Sequence, residues 1–240
     1  MNTTTWLRPT DPDIDAPRPD RRRTVVIVAA VTVLVAVAAT WIVAFSSVLG
    51  VRNIEVRGTH VLTAAQVRAA ANVGNGTPLV RVDTAAVVRR VEKLAEVDSA
   101  RVSTSFPSTV VITVNEREPV GYVQRGGSAV LVDKTGDQYR TVPRAPAHLP
   151  RFVVSAGTDA RTTGGAVATV AAALSPALRA RVRSIEALDP KAITLVLTKG
   201  RIVNWGSAAR SGDKARVLPV LLERKGRHID VTNPDQPFTR

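Results

Sequence analysis

The sequence predicts an α+β protein: a single transmembrane helix, then a domain ordered β-α-α-β-β, then a mixed β domain with flanking helices. Three observations predict it. Thr24 to Val48 is a 25-residue run without a charge, and no other stretch approaches it. Over the next seventy residues strand-like alternation gives way to two helix-spaced segments and then to alternation again. Beyond residue 120, short apolar segments are separated by turn signals, with helical patterns only near Gly165 and Arg210.

The elements follow in chain order. Residues 1–23 carry Pro9, Pro12, Pro17 and Pro19 among alternating Asp and Arg, too little apolar surface to fold, so they read as a disordered cytoplasmic tail. Residues 24–48 form the transmembrane helix. At ~1.5 Å rise per residue it covers roughly 37 Å, enough for a ~30 Å hydrocarbon core with tilt. A signal peptide would have a shorter apolar region with a cleavage site after it, whereas Ala36-Val37-Ala38 lies inside this run. Arg21, Arg22 and Arg23 abut its N-terminal end, and the positive-inside rule keeps such a cluster in the cytoplasm. Residues 49–240 then face outward, away from DNA and ATP.

Composition narrows the function. The 240 residues are 45% apolar and 22% charged, which excludes global disorder. No cysteine is present, which excludes disulfide scaffolds, thiolate zinc sites, iron–sulfur clusters and cysteine nucleophiles. A net charge of +13 favours polyanions, but 27 Arg against 6 Lys reads first as the bias of a GC-rich genome.

In the first outer domain, residues 49–119, Val51–Gly58 places Ile54 and Val56 on one strand face. Thr63 and Gln66 make a capping box, Leu62 and Val67 a hydrophobic staple, and Gly74 a left-handed helix end. A second helix starts near Asp83 or Thr84 and carries Val87, Val88, Val91 and Leu94. Strands follow over Ala100–Phe106, with Val102, Thr104 and Phe106 on one face, and over Thr109–Glu116, with Pro107-Ser108 between them. This order, with VRNIEVRG, GTPLVRVD and TVVITVNEREPVGYV, resembles a POTRA domain. Behind a single N-terminal span it is similar to the FtsQ/DivIB family of bacterial cell-division proteins.

The second outer domain, residues 120–232, reads as a hairpin of Ala129–Asp133 and Gln138–Val142, then a strand at Phe152–Val154. A helix over Gly165–Leu174 continues with Ser175-Pro176 as cap and first position. Val182–Leu188, Ala192–Thr198 and Arg201–Trp205 form an antiparallel meander. A helix near Arg210–Lys225 presents Val217, Val220 and Leu221, with Pro219 expected to kink it. A last strand, His228–Val231, precedes a tail over 233–240. LVDKTG, ITLVLTKG, IVNWGS and HIDVTNP are similar to the β domain of the family. The resemblance implies a sheet edge that takes a strand from FtsB, itself bound to FtsL, and by position it implicates Val231, Thr232, Asn233, Asp235 and Phe238.

Nothing in the sequence suggests chemistry. His60, His148 and His228 lack zinc spacing and read as surface residues, and no cofactor or metal is expected. Glu116 and Glu118 read as strand-end ion pairs with the neighbours of Arg117. Arg179, Arg181 and Arg183 read as a solvated face; if the chain is extended there, they point one way toward an acidic partner or wall polymer. The leading expectation is a nonenzymatic, membrane-anchored scaffold at the division septum, without nucleic-acid or small-molecule ligands. Two alternatives are a POTRA-type assembly factor for envelope proteins, and a peptidoglycan-acting enzyme built on convergent carboxylates.

Overall fold

The computed structural model describes residues 21–45, 50–155 and 160–239, so the expected tail over 1–20 and the end of the apolar run at 46–48 lie outside the description. Helix α1 covers Arg21–Phe45. It begins three residues earlier than the charge boundary suggests, and Arg21–Arg23 form its first turn rather than the end of a tail. Val25, Ile27 and Leu34 along it are each more than 60% exposed. Thr32 Oγ1 donates to Val28 O at 2.8 Å, which satisfies the hydroxyl within the helix. Side chains of α1 are described over 22–38 and at Trp41, and within those limits no helix is long and apolar enough to cross a membrane.

The first outer domain is a three-stranded sheet with two helices. Strand β1 (Asn53–Arg57) leads to α2 (Ala64–Ala71), a 3-10 turn at Leu79–Arg81, α3 (Thr84–Val91), β2 (Val97–Ser105) and β3 (Thr109–Glu116). The spatial order is β1-β3-β2, with β1 parallel and β2 antiparallel to the central strand. Val110, Ile112 and Val114 of β3 are essentially fully buried against Val67, Ala71, Val87 and Val91 of the helices. Each such aliphatic side chain contributes about 1.5–3 kcal/mol on leaving water. The Thr63–Gln66 capping box forms, and Leu62 and Val67 close the staple over it. The left-handed end of α2 is Asn72 at φ 46°, not Gly74 as expected, since asparagine tolerates that conformation. Phe106 is 62% exposed; the inward alternation of β2 ends at Thr104, before the turn that carries the cis Phe106–Pro107 bond.

Arg117 and Glu118 separate this sheet from a nine-stranded one. Its strands are β4 (Pro119–Arg125), β5 (Ser128–Asp133), β6 (Gln138–Val142), β7 (Arg151–Val154), β8 (Val182–Ala187), β9 (Ile193–Leu197), β10 (Ile202–Gly206), β11 (His228–Asp230) and β12 (Phe238–Thr239). The spatial order is β12-β11-β10-β9-β8-β7-β4-β5-β6. The expected meander is present as antiparallel β8-β9-β10. Strand β4, unrecognised as a separate strand, joins the two halves: it pairs antiparallel with β5 and parallel with β7. Helices α4 (Ala160–Ala173) and α5 (Pro176–Arg179) carry the crossover from β7 to the parallel β8. Ser175 caps α5 through Leu178 N, as expected.

Helix α6 (Ser211–Glu223) continues through Pro219. Its inward face is Lys214, Leu218, Leu221 and Leu222, while Val220, expected inward, is 58% exposed. The helical period anchored on Ser211 and Leu218 sets that face. Trp205, Ile185, Leu195, Val203 and Ile229 fill the core beneath it.

Candidate partner-binding edge

The C-terminal margin of the large sheet is built on β10. Its Gly206 adopts φ 73°, and a Cβ there would come within 2.3 Å of Thr232 Cγ2, so glycine lets the chain after β11 pass close by. Strand β11 lies parallel to β10 in the register Ile202↔His228, Val203↔Ile229 and Asn204↔Asp230. Ile202 N donates to Arg227 O at 2.8 Å and Val231 N to Asn204 O at 3.0 Å, which fixes both ends of the strand.

Asp230 closes the strand. One carboxylate oxygen accepts from Asn204 Nδ2 at 2.8 Å, and the other from Thr232 N at 2.9 Å and from the Thr232 hydroxyl. Burial pushes this carboxyl up, but the Thr232 and Asn204 donors outweigh it and hold it below the usual carboxylate range. A turn follows: Asp235 N donates to Asn233 Oδ1 at 3.2 Å and Gln236 N to Asn233 O at 3.2 Å, with Pro234 buried. The segment expected as a free tail then returns to the sheet. Strand β12 pairs antiparallel with β11, Phe238 opposite Asp230 and Thr239 opposite Ile229. Ile202, Asn204, His228, Ile229 and Phe238 line a shallow groove over these strands.

The five implicated residues take different roles. Val231 is fully buried in the core. Thr232 and Asn233 are exposed in the turn, and Phe238 is 48% exposed on β12. Asp235 is held by Arg210, whose two terminal nitrogens donate to its two oxygens at 2.8 Å each. Arg210 stands in the left-handed region at φ 55° before α6 and also donates to Asp213 at 3.0 Å. Its hydrogen bonds lower the Asp235 carboxyl and, from the other side, raise the guanidinium. Sequence reasoning passed over Arg210, because nothing local links positions 210 and 235.

The remaining candidates separate. Arg179 donates to Ala171 O and Leu174 O and so caps α4, while Arg183 reaches Thr198 O. Arg179 ends a helix and Arg183 lies in a strand, so the extended geometry that would align the three arginines is absent. Burial lowers the Arg179 guanidinium. The three histidines are exposed and far apart in the chain, and among the described residues no group of His, Asp and Glu could hold a metal ion. Asp133 is the one buried carboxylate among the described residues, and it is occupied by Thr135, Asp137 N and Arg117. Glu116 forms no ion pair with a neighbour of Arg117; it accepts the backbone N–H groups of His60, Val61 and Leu62.

Residues 49–117 match the FtsQ-type POTRA domain, and residues 121–232 match the C-terminal domain of cell division protein FtsQ/DivIB. The chain is 36% identical over 238 residues to cell division protein FtsQ of Streptomyces coelicolor, covering 92% of this chain and 89% of that protein. It is 36% identical over 207 residues to the Mycobacteroides abscessus FtsQ, covering 86% of this chain and 66% of the relative. The major extracytoplasmic domain of cell division protein DivIB from Geobacillus stearothermophilus overlays 44% of this chain and 91% of its own, at 17% identity and TM-score 0.36.

Proposed function

Because the chain belongs to the FtsQ/DivIB family of cell-division proteins, we propose that it is a nonenzymatic scaffold of the division septum, held by one membrane span, whose β domain binds the FtsB–FtsL pair by strand addition. The observation that carries this reading is the C-terminal margin of the large sheet, where the three-residue β11 is covered on its outer side by only two residues of its own chain. A short outer strand leaves backbone donors and acceptors within reach of a partner's strand.

Helix α1 is the proposed anchor. Positive charge at a helix N-terminus opposes the helix dipole, so Arg21–Arg23 in the first turn do not serve the helix as such. On this reading they face a cytoplasmic membrane surface, with residues 49–240 outside. The proposed anchor ends a few residues before Gly50, whose bridge to Pro78 starts the POTRA domain.

A fluorescent fusion at the N-terminus, followed in living cells during depletion of the native protein, tests the reading. A band at the division site, with filamentous or unseparated cells on depletion, is expected; uniform membrane fluorescence with normal division would overturn it. In capture assays with FtsB–FtsL, deletion of Val231–Arg240 is expected to abolish binding while the POTRA domain stays folded. Undiminished capture would move the site elsewhere.

A further inference from the structure

We propose that the end of the POTRA domain nearest α1 rests on the lipid surface, with Phe106 and Val80 in the interfacial layer and Arg52 and Arg81 level with the lipid phosphates. The inference rests on the reading of α1 as the membrane span and concerns how the outer part of the chain stands on that membrane.

Three segments meet at this end of the small sheet. The chain arriving from α1 is clamped to the loop before α3: Gly50 bridges Pro78, Val51 N donates to Thr77 O at 2.9 Å, and Gly76 N donates to Val51 O at 2.8 Å. The 3-10 turn Leu79–Arg81 follows directly, and its backbone comes within 8 Å of α1, Cα to Cα. The turn between β2 and β3 is the third segment, since Arg52 N and Asn53 N both donate to Ser108 O, at 2.9 and 3.2 Å. The β domain leaves from the opposite end, where Arg117 N donates to Glu96 O.

Each of the two turns presents an apolar side chain to the outside. Val80 is 54% exposed beside the buried Leu79, and Phe106 is 62% exposed ahead of Pro107. One exposed apolar residue is ordinary on a protein surface, but an aromatic and an aliphatic one beside the foot of a membrane helix match the composition of a bilayer interface. Arg52 and Arg81 are exposed at the same end, and an arginine can lay its stem along apolar neighbours while its guanidinium meets phosphate in a two-point contact. The carboxylate of Asp83 is engaged by Ala86 N at 2.9 Å as the cap of α3, and Glu55, farther along β1, pairs with Arg57. Reach agrees with this placement. Four residues, 46–49, join α1 to Gly50, and four fully extended residues span at most about 14 Å. The apolar run continues past the last residue of α1 to Val48, so a turn that comes this close to α1 lies at the depth of the headgroups. Seated so, the small sheet stands on its end, and the eight residues of β3 lift the β domain by as much as about 26 Å from the lipid.

The chain has no cysteine, so a single introduced cysteine takes a label at one place. The experiment reconstitutes the full chain in nanodiscs of phosphatidylcholine and phosphatidylglycerol, with an environment-sensitive fluorophore on Val80→Cys, Phe106→Cys, Val61→Cys or Leu34→Cys. Val61 is the control: it is 52% exposed, but its N–H is bonded to Glu116 at the far end of the sheet. Labels at 80 and 106 are expected to emit to the blue of the label at 61 and to be quenched by spin labels on the lipid headgroups, and the label at 34 by spin labels deep in the acyl chains. Emission and quenching at 80 and 106 no different from those at 61, with 34 quenched, would keep the span and overturn the lipid contact, leaving this end to a protein partner. Equal headgroup quenching at 61, 80 and 106 would show the domain lying flat, which also overturns the end-on seat. An unquenched label at 34 would remove the span, and the seat with it.

Discussion

Glu116 shows how one carboxylate can organise a loop. It accepts from Leu62 N at 2.8 Å, Val61 N at 2.9 Å and His60 N at 3.0 Å, so the end of β3 holds the segment between β1 and α2. Burial pushes its carboxyl up, but the N–H groups of Leu62, Val61 and His60 together bring it below the usual carboxylate range. Asp133 shifts the same way: burial raises it, and Thr135, Arg117 and Asp137 N more than compensate. A carboxyl lowered by folding contributes stability that is fully present above its ordinary pKa of about 4 and is lost as pH falls through the depressed value. Calorimetry is therefore expected to show both outer domains losing stability below about pH 4.5, and Glu116→Gln to weaken the POTRA transition at pH 7 by about 1–2 kcal/mol while flattening its acid limb. An unchanged acid limb in that transition would assign the effect to other groups. Glu116 was legible only as a charged strand end, because its partners lie more than fifty residues earlier in the chain.

The corner between β10 and α6 shows where local reading succeeds and where it stops. Strand and helix were both legible from apolar spacing, and Lys199-Gly200 was readable as the turn into β10, with Gly200 at φ 75°. What joins the two elements is polar and was not. Lys214 is 2% exposed, donates to Trp205 O and Ser207 O at 2.9 Å each, and sits 6.0 Å from the Trp205 ring centroid. Trp205 Nε1 in turn donates to Ser211 Oγ at 3.1 Å in the first turn of α6. Burial lowers the Lys214 ammonium, and Arg210 lowers it further. A lysine on a helix ordinarily predicts solvent, and only the tertiary fold reveals that two carbonyls, Trp205 O near the end of β10 and Ser207 O just past it, need its donors. The same limit applied to the sheet: each strand pattern was visible, but the parallel pairing of β4 with β7 joins segments whose neighbourhood no local period encodes. Lys214→Met keeps the length and removes the donors, so it is expected to destabilise the β domain by about 1–3 kcal/mol. The emission of Trp205, the only tryptophan outside the first 41 residues, checks this in denaturant: a lower midpoint is expected, and an unchanged midpoint would show the two carbonyls to be satisfied otherwise.

Across the whole molecule, Arg117 ties the two outer domains together. Its N–H donates to Glu96 O at 2.7 Å and its Nε to Val97 O at 3.0 Å in the POTRA domain. Its Nη1 is bonded to Asp133, and its carbonyl accepts from Tyr139 Oη at 3.2 Å, both in the β domain. Burial pushes the Tyr139 hydroxyl up to about 12, so it stays a donor at neutral pH. Lys134 to Asp98 at 3.1 Å adds a second, exposed link. With only Arg117 and Glu118 between the sheets, these bonds rather than the length of the connector set the angle at which the POTRA domain presents the C-terminal edge. That edge lies at the opposite side of the large sheet from β5 and β6, so loosening the junction leaves its local structure intact. Arg117→Ala is expected to broaden the distance distribution between spin labels placed on β2 and β10, with capture of the proposed partners FtsB–FtsL in solution unchanged. The substitution also leaves Asp133 buried without its cation, a cost of about 3–5 kcal/mol if the pair were wholly desolvated and less here, where Arg117 is 22% exposed. Adding Asp133→Asn is therefore expected to restore stability without narrowing the distribution. If the double variant regained the native distances, packing at the junction and not the Arg117 bonds would fix the angle.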